Sequence, residues 1–282
     1  MRKRLHRWLL SGLVITAFLF SLRYWGSRTE TPVLSAGVTK ETRRLSLAGR
    51  EVAATFYYPA ARAEAPVVIV AHGFTRTQRY MAGWGADLAA RGITALVLTQ
   101  PALADHPLNA RVLAEIAEKV RLGELNLRVR SNQKVGLMGF SMGGLTTLLA
   151  ASQTPVDAWV GLDPVDMDGS GLKAAAKLKV PSAVLCAEPE PWNLNGNARG
   201  LIAVLPKLKL ALRVRHATHL DAESPTDRLG QLVCGFTRVE HQAAFKRYAL
   251  AFLQATLLND AESQRIIQGA PSDESLSDVV VR

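Results

Sequence analysis

Only two cysteines, Cys186 and Cys234, occur in the 282 residues, and no Cys/His spacing resembles a zinc site. A cysteine-rich metal module and a disulfide-dense scaffold are therefore both excluded. Aromatic residues are also scarce, at 6%, and the basic excess of +10 is not interleaved with them. That pattern gives no nucleic-acid footprint. No glycine-rich phosphate loop follows a strand-like segment, and there are no internal repeats. What the chain does have is apolar bulk: 48% hydrophobic against 21% charged residues, enough for a large core in one α/β domain or two small ones.

The charge is unevenly placed. Residues 1–35 carry Arg2, Lys3, Arg4, Arg7, Arg23 and Arg28 against Glu30, which is +5, half of the excess. Behind the basic head runs an uncharged stretch of 15 residues, 8–22, ending at Arg23, Tyr24 and Trp25. Two readings stay open. A cleaved signal peptide suits the length of the stretch but lacks small residues directly after it. An uncleaved anchor is short for a bilayer, yet Arg23 can snorkel and Tyr24 and Trp25 suit the interface. Under either, the positive-inside rule keeps the head in the cytoplasm and exports the body. The expected division is a signal anchor or signal peptide over 1–25, a tether over 26–40, a folded body over 41–260 and a loose polar tail over 261–282. Outside the cytoplasm Cys186 and Cys234 can form a disulfide or remain two thiols; sequence leaves both open.

Residues 43–47 and 51–58 have the pattern of two strands joined at Ala48-Gly49-Arg50. Residues 67–71, Val-Val-Ile-Val-Ala, form an uninterrupted run of the kind that marks a strand covered on both faces. Strands over 94–98, 134–138, 158–162, 182–186 and 208–215 then alternate with helices over 78–91, 109–122, 142–152, 171–178 and 240–258. The alternation predicts a single, mostly parallel sheet with helices on both faces, opened by an antiparallel hairpin.

Between the strand at 134–138 and the helix at 142–152 lies Gly139-Phe140-Ser141-Met142-Gly143, extended by Gly144. This is the strand–turn–helix setting of a nucleophile elbow, in which glycines let neighbouring chain come close while a serine hydroxyl projects outward. Functional groups of open α/β sheets collect outside the carboxyl ends of the strands. Those ends carry His72-Gly73-Phe74, then Ser141, then Asp163-Pro164-Val165-Asp166, then Glu188-Pro189-Glu190, and finally His216-Ala217-Thr218-His219. Serine, acid and histidine thus occur in the chain order of a hydrolytic triad.

Together these motifs resemble the α/β-hydrolase superfamily over roughly residues 40–258. Residues 161–166 and His219-Leu220-Asp221 are similar to its chlorophyllase-like and dienelactone-hydrolase-like serine esterases. The resemblance implies an α/β-hydrolase fold in which Ser141 is the nucleophile and His219 the base, with His216, nearer the strand, as competitor. It implies Asp163 as the acid. Glu188 holds the more widespread family position and Asp166 is a third candidate. The backbone N–H groups of Phe74 and Met142 would form the oxyanion hole, with no metal and no cofactor. The 18 residues 164–181 are too few for a cap domain, so an open site is expected. Its walls are expected in 188–200 and 100–107, with Trp192 and Trp84 as aromatics that face either substrate or core. The implied activity is a carboxylesterase- or lipase-like hydrolase, exported or membrane-anchored through its N-terminal segment. It would cleave small-molecule or lipid-like esters through an acyl-enzyme. An amidase or peptidase on the same triad, or a non-catalytic binding protein on this scaffold, remains open.

Overall fold

The apolar runs of the sequence become one nine-stranded sheet in the computed structural model, which describes residues 29, 31–60 and 62–282. The expected signal peptide or anchor lies outside the described residues. Among the described residues no helix is long and apolar enough to cross a membrane. Strands β1 (Thr39–Leu47) and β2 (Arg50–Tyr58) form the opening hairpin, and both loop residues, Ala48 and Gly49, have positive φ, as a two-residue hairpin turn that follows strand twist requires. The others are β3 (Glu64–Ala71), β4 (Thr94–Leu98), β5 (Arg130–Phe140), β6 (Ala158–Leu162), β7 (Ser182–Cys186), β8 (Leu208–Val214) and β9 (Leu276–Val281). Their order is β1-β2-β4-β3-β5-β6-β7-β8-β9, with β4 through β8 parallel and antiparallel pairs at both edges.

The helices are α1 (Ala82–Ala90), α2 (His106–Leu122), α3 (Met142–Ala151), α4 (Ser170–Ala175), α5 (Ala198–Val204), α6 (Arg228–Cys234), α7 (Val239–Leu258) and α8 (Ala261–Gly269). Two core layers flank the sheet because β3 buries both its faces: Val68 and Val70 enter one layer, Val67, Ile69 and Ala71 the other. The first layer is closed by α1 and α7 through Trp84, Leu88, Phe245 and Phe252, the second by α2 to α5 through Leu113, Ile116, Leu148 and Leu201. Trp159 of β6 is fully buried in the second layer, and its indole N–H finds an acceptor in Thr147 Oγ1 at 3.1 Å. This is the α/β-hydrolase architecture, and among the described residues no cap domain interrupts it.

Two expectations change. The helix expected over 78–91 starts as a tight 3-10 turn, Gln78–Met81, before α1. The tail after Asp260 is not loose. Asp260 caps α8 by accepting from Ser263 N at 2.8 Å, and β9 then adds an edge strand that buries Leu276 against β8. The short Leu-Ser-Asp-Val-Val-Val run is too brief to stand out in a polar context and gains its stability only from its partner strand. Of the two states left open for the cysteines, the structure has both as free thiols. Cys186 belongs to one core layer while Cys234 packs against the other, so the sheet itself separates them.

Candidate active site

Ser141 sits between β5 and α3 with φ 54° and ψ −123°, a left-handed conformation that costs a non-glycine residue energy. Surrounding bonds hold it there: Ser141 N donates to Leu162 O at 3.0 Å, and Ser141 O accepts from Gly144 N at 2.9 Å and Val165 N at 3.1 Å. The flanking glycines are required by close approach. A β-carbon at Gly139 would lie 2.1 Å from Gly143 O, and one at Gly143 would lie 2.5 Å from the carbonyl oxygens of both Ala71 and His72.

His219 opens a 3-10 turn, His219–Ala222, after β8. The turn is fixed by a reciprocal cap in which Asp221 Oδ2 accepts from Thr218 N at 2.8 Å, and by His219 N donating to Glu190 Oε2 at 3.2 Å. The imidazole packs against Phe140 at a tilt of 38°, with 4.7 Å between ring centroids. Its Nε2 lies 2.9 Å from Ser141 Oγ and its Nδ1 2.5 Å from Asp163 Oδ2. A carboxylate at Nδ1 selects the tautomer with the proton there, which leaves the Nε2 lone pair facing the serine hydroxyl. Asp163, at the end of β6 with φ 42°, is buried; its Oδ1 accepts from Ala187 N at 3.1 Å and its Oδ2 also from Asn193 Nδ2 at 3.0 Å.

The other acid candidates are engaged elsewhere, and the competing base stands apart from Ser141. Glu188 Oε1 accepts from His216 N at 3.1 Å, and its Oε2 lies 3.9 Å from Arg213 Nη1. His216 is exposed. The Asp166 carboxylate accepts from Gly171 N at 3.0 Å and Leu172 N at 2.9 Å, at the start of α4. Of the candidates, then, the fold brings together Ser141, His219 and Asp163, gives the Glu188 and Asp166 carboxylates other partners and leaves His216 exposed.

Met142 N–H stands at the first position of α3, where a helix has no internal acceptor for it. Phe74 lies on the loop after β3, which His72 braces: its Nδ1 donates to Gly73 O at 2.7 Å and its Nε2 accepts from Gln100 N at 3.0 Å. Burial pushes the His72 imidazole down to about 4, so it stays neutral. Gln100 closes the brace, donating to His72 O and accepting from Thr146 Oγ1, both at 2.7 Å.

An open cleft of about 390 Å³ lies over Ser141 and His219, lined by Phe74, Thr75, Phe140, Trp192, Leu220, Leu229 and Val233. Arg76 also reaches it, but its charge is spent on Glu223 Oε1 at 2.7 Å and Asp227 Oδ2 at 3.2 Å. Burial pushes the Glu223 carboxyl up to about 7. Trp84 is a core residue, donating Nε1–H to Ala222 O at 2.9 Å, whereas Trp192 is half-exposed in the cleft. The segment 100–107 forms no part of the lining. Its place is taken by α6, whose Asp227 caps it by accepting from Gly230 N at 2.5 Å. Sequence reasoning passed over α6 and the role of Asn193; a Thr226-Asp227 pair ahead of a short apolar helix is the signal that could have found the former. Among the described residues no group of His, Cys, Asp or Glu side chains is placed to hold a metal ion.

Comparison with known proteins finds similarity over most of the chain. The family model described as "PETase: PET hydrolase-like" matches residues 34–226. Cutinase 2 of Thermobifida cellulosilytica is 25% identical over 232 residues, covering 80% of this chain and 81% of that protein. Cutinase cut1 of Thermobifida fusca is 25% identical over 232 residues, covering 80% of this chain and 66% of its own length. The bis(hydroxyethyl) terephthalate hydrolase of Streptomyces coelicolor is 30% identical over 139 residues, 48% of this chain and 43% of that protein.

Proposed function

Because the chain belongs to the PET hydrolase-like family and is an ester-cleaving serine hydrolase, we propose that it cleaves carboxylic esters through an acyl-enzyme on Ser141, with His219 as base and Asp163 as acid. As Ser141 Oγ attacks the ester carbonyl, His219 Nε2 takes its proton, and Asp163 stabilises the imidazolium so formed. The charge that develops on the carbonyl oxygen is met by the backbone N–H groups of Met142 and Phe74. His219 then returns the proton to the leaving alcohol. A water deprotonated by the same imidazole attacks the acyl-enzyme carbonyl, and His219 passes that proton to Ser141 Oγ as the acid departs.

The observation that carries this reading is the unbroken line from Ser141 Oγ through His219 to Asp163, at 2.9 and 2.5 Å. The apolar cleft between Phe74, Trp192 and Val233, with its one arginine neutralised, favours esters of uncharged apolar or aromatic acids. The names of the cutinase and terephthalate-ester hydrolase relatives point the same way. The basic head and 15-residue apolar stretch favour export, with the body either held at the membrane or released. A fluorophosphonate probe tests the chemistry: it should label the full chain at Ser141 and not Ser141→Ala, and a panel of nitrophenyl esters of increasing chain length should show turnover lost in the same variant. Labelling that persists without Ser141, or no labelling at all, overturns the proposal.

A further inference from the structure

Asn193 is fully buried, at 1% exposure, at the end of a three-residue 3-10 turn, Pro191–Asn193, that follows β7. Every hydrogen-bonding position of its amide is filled. Oδ1 accepts from Glu190 N at 2.8 Å and Gly196 N at 2.9 Å, and Nδ2 donates to Glu188 O at 2.8 Å and to Asp163 Oδ2 at 3.0 Å. The last bond falls on the same carboxylate oxygen that accepts from His219 Nδ1. We propose that Asn193 is a positioning residue for ester hydrolysis, which clamps the Asp163 carboxylate so that one oxygen is presented to the imidazole; this rests on the reading of Ser141, His219 and Asp163 given above.

A carboxylate on a strand end has a free χ2 rotation, and a single bond from Ala187 N to Oδ1 leaves the other oxygen free to swing. The Asn193 donor removes that freedom by taking a second direction at Oδ2. Oδ2 is thereby shared between two donors, the imidazole Nδ1 and the amide Nδ2. The titratable groups around the pair are Glu190, whose Oε2 accepts the His219 backbone N–H, the buried Glu223 on the next turn, and the Cys186 thiol beside Asp163, which burial keeps protonated. None of them donates to Oδ2. Asn193 reaches it from the turn that also exposes Trp192 to the cleft, so one short element carries both a substrate wall and the brace on the acid.

The test compares Asn193→Asp and Asn193→Ala with the wild-type full chain, on kcat, KM and the pH profile of nitrophenyl ester hydrolysis. Asn193→Asp keeps an oxygen for the N–H groups of Glu190 and Gly196 and inverts only the donor side. It should lower kcat at pH 8 by about 10- to 100-fold, the effect of one hydrogen bond to a charged group, with KM changed less than about threefold. Both variants should move the acid limb of kcat/KM to higher pH, by about half a unit or more, because Asn193→Ala withdraws a donor from Oδ2 and Asn193→Asp sets a second carboxylate beside it, and either change favours the imidazolium. A loss of activity with an unmoved acid limb, or wild-type kcat in Asn193→Asp, overturns the proposal. Should Asn193→Ala fail to fold, Asn193→Asp carries the test alone, since its loop acceptors remain. Ser141→Ala and Asp163→Asn run alongside keep the two readings apart: if either retains activity the triad reading itself fails, whereas if both are inactive and the acid limb of the Asn193 variants stays put, only the clamp fails.

Discussion

Two neighbouring strand ends offer carboxylates to one histidine loop, and they serve it differently. At the end of β6 the short side chain of Asp163 lies beneath the imidazole and meets Nδ1 at 2.5 Å. At the end of β7 the longer side chains of Glu188 and Glu190 reach the same loop but meet its backbone, the N–H groups of His216 and His219. The difference teaches that the role of an acid here is set by which donor it faces, and not by how common its position in the chain is. A carboxylate on a backbone N–H shapes a loop; one on the ring selects a tautomer and stabilises a charge.

Substitution should separate the two ends sharply. Ser141→Ala sets the upper bound that either end can reach, with kcat for nitrophenyl esters falling by about 10⁶ and thermal midpoint almost unchanged. Asp163→Asn should follow with a loss of about 10⁴, because an amide there favours the wrong tautomer of His219; a loss under tenfold in steady-state kinetics would erase the distinction between the strand ends.

A third strand end, that of β3, sharpens the contrast through stability. His72 is held neutral by burial, its folded value depressed to about 4 from 6.5, so the stability it contributes is present above pH 6.5 and is lost as pH falls through 4. Urea unfolding of His72→Gln should therefore show a shallower loss between pH 6.5 and 4 than wild type, by on the order of 3 kcal/mol at the lower end. Parallel curves for the two proteins would show that His72 protonates freely in the fold.

At the β7 end the effects should be smaller. Glu190→Ala removes one hydrogen bond to a backbone N–H and should cost about tenfold or less in kcat. Burial also raises the Glu190 carboxyl above its ordinary value, so what this variant removes is partly protonated under acid conditions, and its deficit should shrink as pH falls. Glu188→Gln, which retains an oxygen for His216 N, should change kcat by less than about threefold. A large loss there would move the acid to β7 and reverse the comparison.

Much of the frame was legible along the chain because its causes are local. The run Val67 to Ala71 could only be buried on both faces, and Gly139, Gly143 and Gly144 around Ser141 mark a place where backbone must pass close to backbone. The stretch after Asp260 was illegible because β9 is held by pairing with β8, more than 60 residues away in sequence, and not by its own composition. The wall built by α6 was hidden for a like reason: it is seven residues long, too short for apolar periodicity to register.

By itself, then, the sequence determined the strands and helices, the strained turn at Ser141 and the strand ends where polar groups collect, since each follows from side-chain shape and spacing within about a dozen residues. Tertiary structure alone decided which carboxylate meets His219, that Asn193 donates to that same carboxylate, and that Cys186 and Cys234 lie on opposite sides of the sheet. Those outcomes depend on hydrogen bonds of 2.5 to 3.0 Å between residues 30 and 56 positions apart, and on which core layer each side chain enters. Only the order and register of the sheet set such distances.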